Sequence, residues 1–262
     1  MIRALKTAST GMDAQKMYID VIANNLANVN TTAYKRSSLE FQDLLYETLR
    51  STSLSEDLQR YTPTQLQVGY GTRPIATQKS FAQGELRQTE NPLDLAIEGR
   101  GFLQVEMPDG TYAYTRDGSL KVSSDGTVCT SEGYPIDPSI VIPLDATSVN
   151  IGKNGVVSVK VPGDQDPIEV GQLTLATFVN PAGLQNMGGN LYKETVASGR
   201  PEINTPGESV AGTLLQGYVE SSNVQVVNEM VEMIMAQRAY EINSKVITTA
   251  DQILSTINSL KR

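Results

Sequence analysis

The C-terminal stretch 227–260 is the feature that most restricts how this chain can fold. Apolar or small residues recur there in nine steps over thirty-three residues, about 3.67 residues per step, which is the period of an α-helix. The positions are Val227, Val231, Met235, Ala239, Ile242, Val246, Ala250, Ile253, Ile257 and Leu260. At about 1.5 Å rise per residue, such a helix is a rod of roughly 50 Å. A rod of this length needs an apolar partner.

The N-terminal stretch 2–29 predicts a second long amphipathic helix. Its seam positions alternate between steps of three and four residues, as in a coiled-coil heptad. They are Leu5, Ala8, Met12, Gln15, Ile19, Ile22, Leu26 and Val29, of which only Gln15 is polar. We therefore predict that the two ends of the chain pack together as a coiled coil.

Two interpretations of these helices remain open. The simpler one is a helical hairpin closed within a single monomer. The other is self-assembly, because apolar side chains cover nearly the whole circumference of one C-terminal turn, more than one partner helix can bury. The apolar residues of that turn are Met230, Val231, Met233, Ile234 and Met235. Neighbouring copies of the same chain would be able to cover them.

Composition excludes several classes of function. The chain of 262 residues is 39% hydrophobic and 19% charged, as expected of a folded protein. Its net charge of −8 argues against nucleic acid as a partner, because phosphate binding needs a basic surface. Histidine is absent and Cys129 is the only cysteine, so the usual general base and the usual zinc ligands are missing. We predict no catalytic, cofactor or metal site.

No apolar run is long enough to span a membrane, and the N-terminus lacks the apolar core of a signal peptide. The chain is therefore either cytosolic or exported without cleavage, and composition leaves both possibilities open. Gly99-Arg100-Gly101 resembles part of a phosphate-binding loop, but it precedes an apolar strand instead of a helix. A nucleotide site is therefore not expected there.

The middle of the chain predicts a meander of antiparallel strands. Short apolar runs between residues 68 and 179 are separated by Asp109-Gly110, Asp117-Gly118 and Asp125-Gly126. Such pairs indicate hairpins, since glycine supplies the positive φ of tight turns. Asn154-Gly155 gives the same signal further on, and 212–219 is a last β-like run.

The connecting segments carry weaker signals. Residues 35–48 are mixed and predict a short helical or irregular segment, and Ser221-Ser222-Asn223 offers N-cap residues for the C-terminal helix. Residues 51–67 are polar and predict a long surface loop. Its apolar side chains would let it act as an arm that docks on an adjacent subunit. They are Leu54, Leu58, Tyr61 and Leu66.

Together these patterns predict an α+β fold in which a mainly antiparallel β body is inserted between two long terminal helices. We expect a discontinuous helical assembly domain at 1–34 and 224–262. An extended connecting domain is expected at 35–92 and 206–223, and an antiparallel β domain at 93–205.

Motifs at both ends resemble the axial proteins of the bacterial flagellum, the rod and hook family. Residues 23–36 read ANNLANVNTTAYKR, and 217–224 read GYVESSNV. They are followed by EMVEMI at 229–234 and QRAYEINSK at 237–245. Ala33 stands where many members of this family have glycine, and Gln225 stands where Asn or Asp is frequent. The middle motifs, such as LDLAIEGRGF at 93–102, are most similar to those of distal-rod members.

The resemblance implies a structural subunit that is exported unfolded through the flagellar type III apparatus, keeps its N-terminus, and polymerises into a rigid helical tube in the periplasm that transmits torque. Implied partners are copies of itself, adjacent rod and hook proteins, the surrounding basal-body rings and the export apparatus. Nucleic acid and a transmembrane segment are not expected.

Three alternatives remain: a proximal rod or hook member of the family, a periplasmic or surface binding module, and, more remotely, an enzyme. The predicted assembly interface consists of Leu5, Met12, Ile19, Ile22, Leu26, Val29, Met230, Val231, Ile234, Met235, Ile242, Val246, Ile253, Ile257 and Leu260.

Overall fold

A computed structural model describes residues 2–50, 54–55, 60–61, 64–162, 166–208 and 210–260. The chain divides into two compact units. The helical unit contains the described residues of Met1–Ala27, Ser37–Gln78 and Gln225–Arg262. The β unit contains those of Asn28–Arg36 and Lys79–Val224. An N-terminal helix, a β-rich middle and a C-terminal helix follow one another, which confirms the α+β class.

Two long helices dominate the helical unit, α1 (Ile2–Ala27) and α2 (Val226–Leu260). The predicted C-terminal helix is confirmed to within one residue at its start. The N-terminal prediction was too long, because α1 ends at Ala27 and Val29 lies beyond it in the β unit. Asparagine at positions 28 and 30 favours turns over helix, which accounts for the earlier end.

The two helices contact each other in an antiparallel arrangement. Near the end of α1, Asn25 hydrogen bonds to Glu229 at the start of α2, and nearer the beginning of α1, Gly11 packs against Asn243. The residue numbers of both facing pairs add to 254.

Strands of the helical unit follow α1 in sequence. They are β1 (Ser37–Asp43), β2 (Tyr46–Arg50), β3 (Leu54–Ser55), β4 (Arg60–Tyr61), β5 (Leu66–Gly69) and β6 (Thr72–Lys79). The sheets pair β1 with β6, β2 with β5 and β3 with β4. The helical or irregular segment predicted for 35–48 was wrong, since β1 and β2 occupy most of it.

The loop predicted for 51–67 was also wrong where the structure describes it, because β3 pairs with β4 there and β5, which begins at Leu66, pairs with β2. Most side chains of β2 and β5 are exposed, so no buried apolar face marks these strands in the sequence. Leu66 is exposed. Leu58 and the side chains of Leu54 and Tyr61 lie outside the described residues.

The β unit is built from short strands. They are β7 (Leu86–Gln88), β8 (Leu95–Glu98), β9 (Leu103–Glu106), β10 (Tyr112–Thr115), β11 (Lys121–Val122), β12 (Val128–Cys129), β13 (Ile136–Asp137), β14 (Ser148–Ile151), β15 (Val156–Lys160), β16 (Ile168–Gln172), β17 (Leu175–Thr177), β18 (Gln185–Gly188), β19 (Leu191–Lys193), β20 (Glu202–Asn204), β21 (Thr213–Gln216) and β22 (Tyr218–Glu220). A single 3₁₀ turn, Pro181–Gly183, precedes β18.

The largest sheet has the strand order β13-β9-β10-β19-β18, and a second sheet has the order β14-β15-β16. Strands β8, β7, β17 and β11 pair with β21, β22, β20 and β12 respectively. Every pairing in these sheets for which the register is described is antiparallel, as predicted.

Three of the four predicted hairpin turns are confirmed. Asp109-Gly110 lies between β9 and β10, Asp125-Gly126 between β11 and β12, and Asn154-Gly155 between β14 and β15. The prediction for Asp117-Gly118 was wrong, because β10 pairs with β9 and β19 instead of with the next strand. Glycine is required at 118 for a different reason: an added Cβ would lie 1.6 Å from the carbonyl oxygen of Leu95.

Large apolar side chains fill the interior of the β unit. The main cluster is aliphatic and includes Leu95, Ile97, Leu103, Leu120, Ile136, Val159, Leu175 and Leu214. Beside it, aromatic rings meet edge to face with centroids 4.9–5.9 Å apart, and these are Phe81, Phe102, Tyr114, Phe178 and Tyr192. Full burial of each such side chain contributes about 1.5–3 kcal/mol, so the unit carries its own core.

Candidate assembly surface

The fully buried residues of α1 and α2 are mostly small or polar, with Ile22 as a large apolar exception. Those buried on α1 are Ala8, Ala14, Ile22 and Asn25, and those buried on α2 are Glu229, Ala236 and Ala250. Gly11 contacts α2 closely. A Cβ added to Gly11 would lie 2.8 Å from the side-chain nitrogen of Asn243, so a larger residue there would displace the Asn243 side chain.

A buried polar contact joins one end of the seam to a strand. The Asn25 amide nitrogen donates to a Glu229 carboxylate oxygen at 3.0 Å and to the Ser37 carbonyl at 2.8 Å. The Ser37 amide donates back to the Asn25 side-chain oxygen at 3.0 Å. This asparagine belongs to the N-terminal motif, and its side chain bridges α1, β1 and α2.

Most large apolar residues of α2 are exposed, whereas Met233, Ile247 and Leu254 are half-buried. Met235 is 66% exposed and Ile242 is 61% exposed, whereas Ala236 is 2% exposed. Met230 and Ile234 of the apolar turn are exposed as well, and the other exposed members of the stripe are Val227, Val231, Val246, Ile253, Ile257 and Leu260. Within the stripe predicted to face the N-terminal helix, only Ala239 and Ala250 are partly or fully buried. That pairing was therefore wrong, and the helix period identified an outward face of α2.

The residues of the predicted N-terminal seam are more buried than the apolar stripe of α2. Ala8 and Ile22 are buried, whereas Leu5, Met12, Gln15, Ile19, Leu26 and Val29 are half-buried. A single chain thus leaves much of the apolar surface of both helices accessible to solvent.

A second group of functional interest, an ionic cluster, is buried in the β unit. Lys35, Arg116 and Glu220 are each no more than 3% exposed. The Lys35 Nζ lies 2.6 Å from one Glu220 carboxylate oxygen, and the Arg116 Nε lies 2.9 Å from the other. The Gly84 amide also donates to this carboxylate at 2.7 Å. One anion is thus shared by two cations.

The surroundings shift the ionisation of two members of this cluster. Burial, helped by the charge of Arg116, lowers the pKa of Lys35 from 10.5 to about 8, although Glu220 opposes the shift. Burial by itself raises the pKa of Glu220. The charges of Arg116 and Lys35, with hydrogen bonds from Lys35 and from the Gly84 amide, outweigh burial and lower that pKa. Glu220 is therefore held as a carboxylate.

The Gly99-Arg100-Gly101 segment completes the coordination of Arg116. Both glycines have positive φ values, 107° and 140°, and their carbonyls each accept a hydrogen bond of 3.1 Å from the Arg116 guanidinium. Residues with a side chain rarely adopt this backbone conformation. The glycines that resemble a phosphate loop in the sequence instead bind a buried arginine.

The N-terminal motif is anchored in the β unit at the same place. The Ala33 amide donates to the Glu220 carbonyl at 2.7 Å, and Ala33 has a φ of 56°. The Asn223 side chain accepts from the Arg36 amide at 2.7 Å and donates to the carbonyls of Ser80 and Ala82. The proposed N-cap role of Asn223 was therefore wrong, since α2 begins three residues later and this side chain is already engaged.

Sequence reasoning missed this cluster. Its members are separated by 81 and 104 residues in the chain, and nothing local pairs them. A usable signal was present, since Arg116 directly follows the buried end of β10 and Glu220 ends β22. A charge in such a place needs a partner of opposite sign.

The described helices include none that is both long enough and apolar enough to cross a membrane. Among all the residues that the structure describes, no group of three or more Asp, Glu, Cys or His side chains could hold a metal ion.

Comparison with known families accounts for the two ends and the middle of the chain. Residues 5–35 match the family described as "Flagella basal body rod protein". Residues 96–159 match "Flagellar hook protein FlgE/F/G D1 domain", and residues 215–260 match "Flagellar basal body rod FlgEFG protein C-terminal". The first match contains most of α1, and the last contains the whole of α2.

Relatives match over their full length. The chain is 50% identical to the flagellar basal-body rod protein FlgG of Buchnera aphidicola subsp. Schizaphis graminum over 99% of its own residues and 100% of the relative. It is 48% identical to the protein of the same name from Borreliella burgdorferi and 38% identical to that from Bacillus subtilis, in both cases over the whole of each chain. The resemblance inferred from the sequence is confirmed, and the chain belongs to the family of flagellar basal-body rod proteins.

Proposed function

We propose that this rod protein is a distal-rod subunit, which polymerises through α1 and α2 into a rigid tube and performs no catalysis. One observation carries the proposal: a single chain leaves the large apolar side chains of α2 in solvent while burying alanines at its own seam. An exposed apolar surface of this extent marks an interaction site. An interface that does not close into a ring generates a filament of identical subunits.

The proposed assembly interface is the set of apolar residues predicted from the sequence, of which Ile22 is buried in the single chain and Val29 lies just beyond α1. Coiled-coil packing belongs to this proposal, with the outward stripe of α2 meeting helices of neighbouring copies. The division into an assembly domain, a connecting domain and a β domain is also a proposal.

Further partners come to the chain through its family. We propose that adjacent rod and hook proteins and the surrounding rings contact the assembled tube. Export through the type III apparatus without signal cleavage, and a location in the periplasmic part of the basal body, complete the proposal.

Residues 51–67 are proposed to be an arm that contacts an adjacent subunit and stiffens the tube. The pairing of β2 with β5 supports this, because a two-stranded ribbon with mostly exposed faces lacks a core of its own. Deleting 51–67 should leave the monomer folded but give tubes of shorter persistence length in electron micrographs. If tubes with and without residues 51–67 are equally stiff, this segment is only a solvated ribbon and makes no stiffening contact.

The central experiment is the substitution Ile234→Asp. We expect folded monomers that no longer polymerise, because burying an unpaired carboxylate among apolar neighbours costs several kcal/mol at each repeated contact. The matched control is Gln237→Asp, which places the same charge at an exposed polar position of α2 and should assemble normally. Sedimentation and electron microscopy distinguish the outcomes, and normal tubes from Ile234→Asp would show that Ile234 faces water or the channel.

A further inference from the structure

The helical unit contains an apolar groove of about 550 Å³ beside α1. Met17 and Val21 of α1, Leu39 of β1, and Pro74 and Ile75 of β6 line it, together with the carboxylate of Asp20. Met17 and Ile75 are each more than half exposed. The volume lies within the range of about 300–1,000 Å³ that is typical of binding sites.

The last turns of α2 form a complementary apolar edge. Ile253, Ile257 and Leu260 follow one another in steps of four and three, so they share one helix face, and all three are exposed. The register of the helical pair places Ile2, the first described residue of α1, opposite Gln252. The residues 253–260 therefore extend past Ile2 by about 12 Å.

The groove and this edge of one chain are too far apart to meet. Because facing residue numbers add to 254, Met17 lies opposite residue 237 of α2. Ile257 is twenty residues further along, a separation of about 30 Å in a helix. Any α2 end that occupies the groove must belong to another copy.

We propose that the groove beside α1 receives residues 253–260 of α2 from a second copy of the chain. Ile253, Ile257 and Leu260 are spaced as anchors of an amphipathic helix in an apolar groove. Charge supports the match, since Asp20 lines the groove and the sequence continues from Leu260 with Lys261 and Arg262. The contact is head to tail, so each copy offers one end and one groove, and repetition lengthens a filament. This inference rests on the proposed polymerisation and specifies which surfaces meet.

Site-specific crosslinking between separate copies tests this contact. The starting protein carries Cys129→Ser, which removes the buried native thiol and keeps a hydrogen-bond donor to the Lys121 carbonyl. One preparation then carries Ile75→Cys and another Ile257→Cys. The two are mixed, polymerised, treated with a short bismaleimide, and separated on a denaturing gel. A crosslink between the preparations is intermolecular by construction.

The matched control replaces Ile257→Cys by Val227→Cys, which is also exposed on α2 but lies at its other end. We expect at least tenfold more crosslinked dimer from Ile75→Cys with Ile257→Cys than from Ile75→Cys with Val227→Cys. Polymers that form normally but crosslink equally, or not at all, would overturn the head-to-tail contact and leave the proposed function intact. Failure of the Cys129→Ser protein and of the unaltered chain to polymerise would overturn both.

A second pair of variants tests the same contact without crosslinking. Ile75→Asp in the groove and Ile257→Asp in the helix end should each raise the concentration needed for polymerisation by at least tenfold. Circular dichroism should show unchanged monomers, since both side chains are exposed there. Unchanged polymerisation of either variant would contradict the proposal.

Discussion

The two units of this protein bury opposite kinds of residue. The β unit keeps large aliphatic and aromatic side chains inside and places its buried charges in a shared cluster. The residues buried on the two helices are mostly alanine, asparagine and glutamate, with Ile22 as a large apolar exception, while many methionine, valine and isoleucine side chains of α2 are exposed. The β unit is thus complete as one chain, whereas the helical unit has its best apolar surface still to bury. A subunit that stays folded before assembly but gains stability from it requires this division.

The largest effect on stability is expected from a change in the buried ionic cluster of the β unit. Glu220→Gln removes the shared anion and leaves Lys35 and Arg116 buried without a counter-charge. We expect a loss of about 3–5 kcal/mol in the free energy of unfolding, measured by urea denaturation of the monomer.

The control for this variant is Glu241→Gln, which breaks the exposed 2.9 Å pair between Arg238 and Glu241. That change should cost no more than about 1 kcal/mol. Similar losses in the two variants would mean that the buried cluster contributes no more than a surface pair.

Acid should narrow the difference between the wild type and Glu220→Gln. The folded-state pKa of Glu220 lies below its ordinary value of 4.5, so the unfolded chain binds the proton more readily. The stability due to this carboxylate is present above pH 4.5 and is lost as the pH falls through the folded-state pKa. Urea titrations at pH 7 and at several values below 4.5 measure the difference. A constant difference over that range would contradict the assignment.

A smaller effect tests the seam of the helical unit. Ala236→Leu forces a larger side chain between α1 and α2, which should cost about 1–3 kcal/mol and speed amide hydrogen exchange in α1. Ile242→Ala is the matched change on the outward face, and it should alter the monomer by no more than about 0.5 kcal/mol. The same Ile242→Ala should weaken polymerisation. Equal losses of monomer stability in the two variants would mean that the face of α2 toward α1 and its outward face do not differ in packing.

The smallest expected effect is a gain in stability. Ala33 has a φ of 56°, in the left-handed region that costs a residue with a Cβ about 1–2 kcal/mol. Ala33→Gly removes this cost but adds flexibility to the unfolded chain, so the net gain should be about 0.5–1 kcal/mol. Thermal denaturation measures it, and a lower melting temperature would show that the left-handed position is not strained.

Local pattern was sufficient for several parts of the fold. The period of 227–260 predicted α2, because a helix face repeats in the sequence itself. The pairs Asp109-Gly110 and Asn154-Gly155 predicted hairpins, because the turn needs a positive φ within a few residues of both strands. The terminal motifs identified the family, which the full-length relatives confirmed.

Other parts depended on partners far away in the chain. The strands β2 and β5 have no buried apolar face that the sequence could reveal, since their side chains are mostly exposed, and their mutual pairing defines them. Lys35 and Glu220 are 185 residues apart, so their contact required the folded β unit. Asn223 reads as a helix cap locally, but the backbone of Arg36 and Ser80 lies within its reach.

The sequence by itself determined that both ends are amphipathic helices, that an antiparallel β body lies between them, and that apolar surface exceeds what one helical pair can cover. These properties follow from period, turn chemistry and composition. Only the tertiary structure decided which helix face is inside. Ala236 is buried and Gly11 contacts Asn243 of α2, whereas the larger Met235 and Ile242 are exposed. Hydrophobicity along the sequence records how apolar each face is, but the packing of the folded helical unit decides which face is buried.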